Sequence, residues 1–238
     1  MISFVILTIG DKPEKLIDCI NSINRTCKNK LDHEICVVGN NIPDLSSLNV
    51  NAVSDEEKKE FLGARKNIGT KNTTGDILVH CDDDIIFDVD WAVKFKNFCK
   101  KNPDWQIMGN KVLLPDGSRY WDRATYLPSH MMVDYDFESE DVTFYQSGAF
   151  SVSKRSLLNK ICWDNDIPFY GMFRGFTHNE DVEFSMRLKE AGVKIHFDKH
   201  NTVWHNDFSY ISNNVTCNKR QGVNSIEHKC IDFILASN

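Results

Sequence analysis

Apolar positions in the first third of the chain come in short unbroken runs, not in alternation. Phe4-Val5-Ile6-Leu7, Glu34-Ile35-Cys36-Val37-Val38 and Ile77 to Cys81 are each of strand length, and such runs predict strands buried on both faces. Between them the period changes. Pro13 opens a segment where Leu16, Ile17, Ile20 and Ile23 recur at helical spacing, and Ala64 to Thr73 predicts a second helix. Asn51-Ala52-Val53 is a further short strand, while Gly39-Asn40-Asn41 and Gly75-Asp76 supply turns. Strands interleaved with helices predict an α/β fold. Its Rossmann-like, mostly parallel sheet carries helices on both faces, and ligands of such sheets lie beyond the carboxyl ends of the strands.

Further along, Asp90 is expected to cap a helix that carries Trp91, Phe95 and Phe98 on one core-facing stripe. Trp105 to Met108 and Val112 to Leu114 are strand-like, Pro115-Asp116-Gly117-Ser118 is a turn, and the residues to about Asp141 are aromatic and irregular. Phe144 to Val152 predicts a strand and Lys154 to Lys160 a short helix. Thr177 to Gly192 has the form of a capped helix, with Thr177 and Glu180 as a capping box and Gly192 as terminator. Val193 to Phe197 and Thr202 to Trp204 are two further strands. In the tail, Ile226, Cys230, Ile231, Phe233, Ile234 and Leu235 suggest a packing helix, and the polar stretch Ser209 to Asn218 suits a lid. No repeat or low-complexity tract interrupts the chain, so a single domain is expected, built from residues 1–103 and 104–205 with a tail at 206–238.

Composition narrows the function. A chain of 238 residues with 41% hydrophobic content buries a real core, and a formal charge of -6 argues against a phosphate-tracking nucleic-acid binder. One basic patch, Lys58, Lys59, Arg65, Lys66 and Lys71, is either a solvated helix face or an anion site. Eight cysteines lie scattered without a Cys-x-x-Cys pair, which excludes a zinc ribbon or a thioredoxin-type centre. With no basic leader and no long apolar segment, a cytoplasmic setting without a transmembrane segment is the expectation.

The acidic residues carry the chemistry. Cys81-Asp82-Asp83-Asp84 ends a buried strand, and alternate side chains of an extended segment share a face, so Asp82 and Asp84 point together and Asp83 away. Two hard oxygen donors on one side suit magnesium or manganese on a phosphorylated ligand; the other reading is a polar loop capping a helix. Glu180-Asp181 opens a helix, where the macrodipole alone would favour carboxylates, yet the adjoining loop Phe173 to Asn179 is aromatic and glycine-bearing, as an acceptor pocket would be. His205 is a lone histidine after a strand. His178 and His80 are weaker candidates, His80 pointing into the sheet.

Taken in order, Phe4 to Ile23, Gly63-Ala64-Arg65-Lys66-Asn67-Ile68-Gly69, Cys81 to Asp84, Gln146-Ser147-Gly148-Ala149-Phe150 and Asn179 to Leu188 resemble glycosyltransferase family 2, inverting nucleotide-sugar enzymes of the GT-A fold. The likeness runs from about Ser3 to His205. It implies a metal-dependent enzyme that moves a sugar, with inversion, from a nucleoside-diphosphate sugar, a UDP-sugar first among them, to a glycan, glycoprotein or glycolipid hydroxyl. By the same resemblance Asp181 is the catalytic base and Glu180 orients the acceptor or its neighbour. Thr8, Gly10, Asp11, Arg65, Asp82 and Asp83 contact the nucleotide donor. Asp82, Asp84 and His205 hold Mn2+ or Mg2+, with Asp83 an alternative partner for Asp84. Residues 1–103 become the donor half and 104–205 the acceptor half. Thr8-Ile9-Gly10-Asp11 and Gly39-Asn40-Asn41 depart from the family's usual base-binding residues. A nucleotidyltransferase and a non-catalytic carbohydrate-binding protein are the rival expectations; the first is too poor in glycine after its first strand.

Overall fold

The structure is a computed structural model that describes residues 1–55, 61–123, 134–136, 145–167, 172–173, 176–177 and 180–206. Its elements in chain order are β1 (Ile2–Thr8), α1 (Pro13–Cys27), β2 (His33–Gly39), β3 (Asn51–Ser54), α2 (Leu62–Lys71), β4 (Ile77–Asp82), β5 (Ile85–Phe87) and α3 (Trp91–Lys101). There follow β6 (Ile107–Leu113), β7 (Phe150–Lys154), α4 (Arg155–Leu158), β8 (Met172–Phe173), β9 (Phe176–Thr177), α5 (Glu180–Glu190) and β10 (Ile195–His205).

Eight strands form one sheet in the order β3-β2-β1-β4-β7-β6-β10-β5. The unbroken runs read from the sequence are its parallel part, β3, β2, β1 and β4. Beyond β4 the sheet turns mixed: β7 lies antiparallel between β4 and β6, and β10 is parallel to β6. Alternation along β1 assigns each side chain to a face. Phe4 and Ile6 join α1 and α3 on one side, while Val5 and Leu7 join α4, α5 and Trp163 on the other. The predicted aromatic stripe is core: Trp91 stacks on Phe95 at 5.2 Å and meets Phe87 edge-on at 5.1 Å.

Several expectations change. Asp90 stands at the start of α3 but makes no capping bond, its carboxylate pairing with Lys94 at 3.0 Å instead. Thr177 belongs to β9, paired with Met172, so the capping box does not form, although Gly192 does end the segment, its N–H donating to the Lys189 carbonyl at 2.9 Å. Residues 107–113 are one strand where two were expected, as are 195–205, with a register shift between Asp198 and Thr202. The strand expected from Phe144 begins only at Phe150. A strand of three residues, β5, went unread because it is too short for periodicity to register. Lys58, Lys59, Tyr126, His178 and the tail beyond 206 lie outside the described residues. Among those described, no helix is long and apolar enough to cross a membrane.

Candidate active site

Two acidic groups gather at the carboxyl ends of the central strands. In the first, β4 ends at Asp82, and a tight turn through Asp83 and Asp84 throws the chain to β5 at the far edge of the sheet. There β5 pairs antiparallel with the end of β10, setting Ile85 opposite His205, and the Asn206 N–H donates to the Asp84 carbonyl at 2.8 Å. Asp82, Asp84 and His205 consequently bring one ligand atom each to within 4.8 Å of one another. His205 Nε2 lies 3.6 Å from Asp84 Oδ1, Lys15 Nζ lies 3.7 Å from Asp84 Oδ2, and the Tyr120 ring stacks on the imidazole at 4.2 Å.

Asp83 points elsewhere, as alternation predicts. Its carboxylate accepts a hydrogen bond of 2.5 Å from Thr8 Oγ1, which in turn accepts from the Gly10 N–H at 3.0 Å. Burial, then the charge of Asp84, pushes the Asp82 carboxyl well above the usual range, with Lys66 opposing. Burial likewise pushes Asp83 up to about 6, the Thr8 bond opposing and Asp84 adding to the rise. Among the described residues, Asp84 Oδ1 is buried without a hydrogen-bond donor. Crowded carboxylates, one oxygen of them undonated, beside an imidazole fit a divalent cation: such an ion would remove the repulsion and use the free lone pair.

The second group begins α5. Glu180 is buried, and its Oε1 accepts from Lys66 Nζ at 2.8 Å. Asp181 accepts two backbone bonds, from the Gly148 N–H at 3.0 Å and from the Val182 N–H at 2.8 Å. Desolvation, then the neighbouring Glu180 charge, pushes Asp181 up to about 7, with Lys66 and the two N–H groups opposing. Gly148 is required for this contact, since a Cβ there would stand 2.9 Å from Glu180 Oε1 and 3.2 Å from Asp181 Oδ2. The next residue joins the two groups, because the Asp82 N–H donates to the Ala149 carbonyl at 3.1 Å.

The basic patch is not a solvated face. Arg65 and Lys66 are buried, and of the described members only Lys71 is exposed. Arg65 Nη1 donates to the Thr8 carbonyl at 3.1 Å and Nε lies 3.7 Å from Asp55, which ties the end of β1 to the segment after β3. Asp11 sits at the exposed lip near Asp83, whose carboxyl its charge raises. His80 is buried in the sheet and burial pulls it down to about 3, so it stays neutral as packing. The sequence reading missed Lys66, Lys15 and Tyr120 as members of the site. For Lys66 a signal existed: it shares an α2 face with Gly63 and Gly69, small residues that mark close approach to a neighbour.

Residues 3–162 match the profile of glycosyl transferase family 2, about two thirds of the chain. The chain belongs to glycosyltransferase family 2. Solved structures agree on the GT-A fold. TarS residues 1–349 from S. aureus aligns with a TM-score of 0.62 at 15% identity, covering 96% of this chain and 68% of that one. The same TarS fragment in complex with UDP gives 0.61 at 14% identity, over 87% and 60%. GalNAc-T7 with UDP, GalNAc and Mn2+ gives 0.66 at 15% identity, over 87% of this glycosyltransferase and 44% of that chain. This family 2 chain thus spans less than two thirds of the length of most of these structures. No curated protein matches its sequence.

Proposed function

We propose that this glycosyltransferase moves a sugar from a nucleoside-diphosphate donor, a UDP-sugar first, to a hydroxyl of a glycan, glycoprotein or glycolipid by a single inverting displacement. The observation that carries the reading is the Gly148-Ala149 pair, one residue bonded to Asp181 and the next to Asp82. It supports a base and a donor-holding group acting on one reaction centre. UDP in the TarS complex, and UDP with Mn2+ in GalNAc-T7, support the donor and the cation.

Asp82, Asp84 and His205 would hold Mn2+ or Mg2+, which when bound supplies neutralisation of the leaving diphosphate. Arg65, Thr8, Gly10 and Asp11 form the nucleotide side, with Asp83 fixed by Thr8. Asp181 accepts the proton of the acceptor hydroxyl. The oxygen so freed bonds to the anomeric carbon from the face opposite the diphosphate, whose bond to that carbon breaks. A carboxylate with proton affinity near neutrality suits this task, since a base works best with its pKa near the working pH. Glu180, held by Lys66, orients the acceptor side. Residues 1–103 then act as the donor half and 104–205 as the acceptor half.

The test is a panel of nucleotide sugars incubated with the chain, with and without manganese, with nucleoside diphosphate release as the readout. Metal-stimulated release from one donor is expected. A chain that binds these donors yet never releases the nucleotide, with or without acceptor glycans, is a binding protein, and the proposal falls.

A further inference from the structure

We propose that Lys66 is a positioning residue for the catalytic pair: its ammonium anchors Glu180 and thereby aims the first turn of α5, with Asp181, at the acceptor. The proposal rests on reading Asp181 as the base. Its ground is the geometry of one buried cation. Lys66 Nζ lies 2.8 Å from Glu180 Oε1, with 1% and 7% of the two side chains exposed. The same nitrogen stands 3.9 Å from the centre of the Trp163 ring. That ring is itself fixed: the Trp163 N–H donates to Asn67 Oδ1 at 3.2 Å, Asn67 Nδ2 donates to the Trp163 carbonyl at 2.7 Å, and the indole stacks on Phe184 of α5 at 3.9 Å. An aromatic face strengthens the hold on a desolvated ammonium, so Lys66 is gripped from α2, from the Trp163 loop and from α5 at once.

The consequence is a division between adjacent acids. Two neighbouring buried carboxylates repel, and whichever takes the cation is kept charged and occupied. Here Glu180 takes it, and Asp181 is left with backbone N–H donors. Charged groups acting on Asp181 are Glu180 and Lys66, and both also act on Asp82. Lys66 neighbours Arg65, which bonds the Thr8 carbonyl at the nucleotide side, so a single helix turn of α2 links the donor-facing strand end to the base.

The experiment is a double-mutant cycle on the full chain with manganese and its best donor: Lys66→Met, Glu180→Gln and the two together, with Lys66→Arg as rescue and Asp181→Asn in parallel. Lys66→Met is expected to lower kcat about tenfold or more while donor KM moves less than about twofold, the pattern of a lost orienting contact. Lys66→Arg recovers most of that loss. On the Glu180→Gln background, Lys66→Met adds no more than about twofold, because partners acting as a unit are not additive. A further tenfold loss in the double variant, or a Lys66→Met loss that falls on donor KM, overturns the proposal, the latter making Lys66 a donor ligand. Should Lys66→Met alone leave Glu180 unpaired and fail to fold, Glu180→Gln against the double variant decides, as neither leaves a buried lone carboxylate. Full turnover by Asp181→Asn removes the base reading independently of the Lys66 cycle.

Discussion

His205 closes the last described strand with its Nε2 3.6 Å from Oδ1 of Asp84, at the turn that leaves β4. The contact is made by strand pairing: β10 runs antiparallel to β5, which begins one residue after Asp84. Asp84→Ala is therefore expected to abolish manganese-dependent donor binding, and His205→Ala to weaken it. Calorimetry of UDP binding with and without manganese checks both. Equal UDP affinity in the two conditions for the unaltered chain would remove the metal assignment.

Asp181→Asn keeps the shape of the side chain but cannot accept a proton. Turnover is expected to fall roughly 10²–10⁴-fold, the usual contribution of a general base, with donor affinity intact. Initial rates and UDP titrations on the same preparation separate the two effects.

The pH dependence follows from the same residue. The working form of a base is the carboxylate, and Asp181 is pushed up to about 7, so kcat should fall as pH drops through about 7 and level off above it. The rate remaining in Asp181→Asn should lack that acid limb. A rate profile from pH 5 to 9 for both chains tests this.

Cation binding should couple to stability with a definite sign. Asp82 lies well above the usual carboxylate range and Asp83 is raised to about 6, so folding favours their protonated forms. Without a cation, stability is greatest at low pH and is lost as pH rises from the unfolded carboxylate value of about 4 through about 6. A divalent ion binds the ionised form and reverses that loss. The rise in melting temperature on adding manganese should be larger at pH 8 than at pH 5; an equal rise at both would contradict the site.

Gly148→Ala places a methyl group 2.9 Å from Glu180 Oε1 and 3.2 Å from Asp181 Oδ2. The carboxylates must shift, so kcat is expected to drop about tenfold or more, as misplacement of a catalytic group costs heavily. Thermal melts beside steady-state rates will show whether turnover is lost from a chain that stays folded.

What the sequence by itself determined are features that depend on near neighbours. Unbroken apolar runs located β1, β2 and β4, helical spacing located α1 and α3, and the side-to-side alternation of an extended segment separated Asp83 from Asp82 and Asp84. Periodicity reports that a residue is buried and on which face. It does not report the partner. The insertion of β7 between β4 and β6, the antiparallel seat of β5 on β10, and hence the meeting of His205 with Asp84 were decided by pairing between distant segments. Lys66 is the plainest case. On charge alone it belongs on a solvated helix face, and only Glu180, 114 residues further along, makes its burial possible by satisfying the ammonium in a site closed to water.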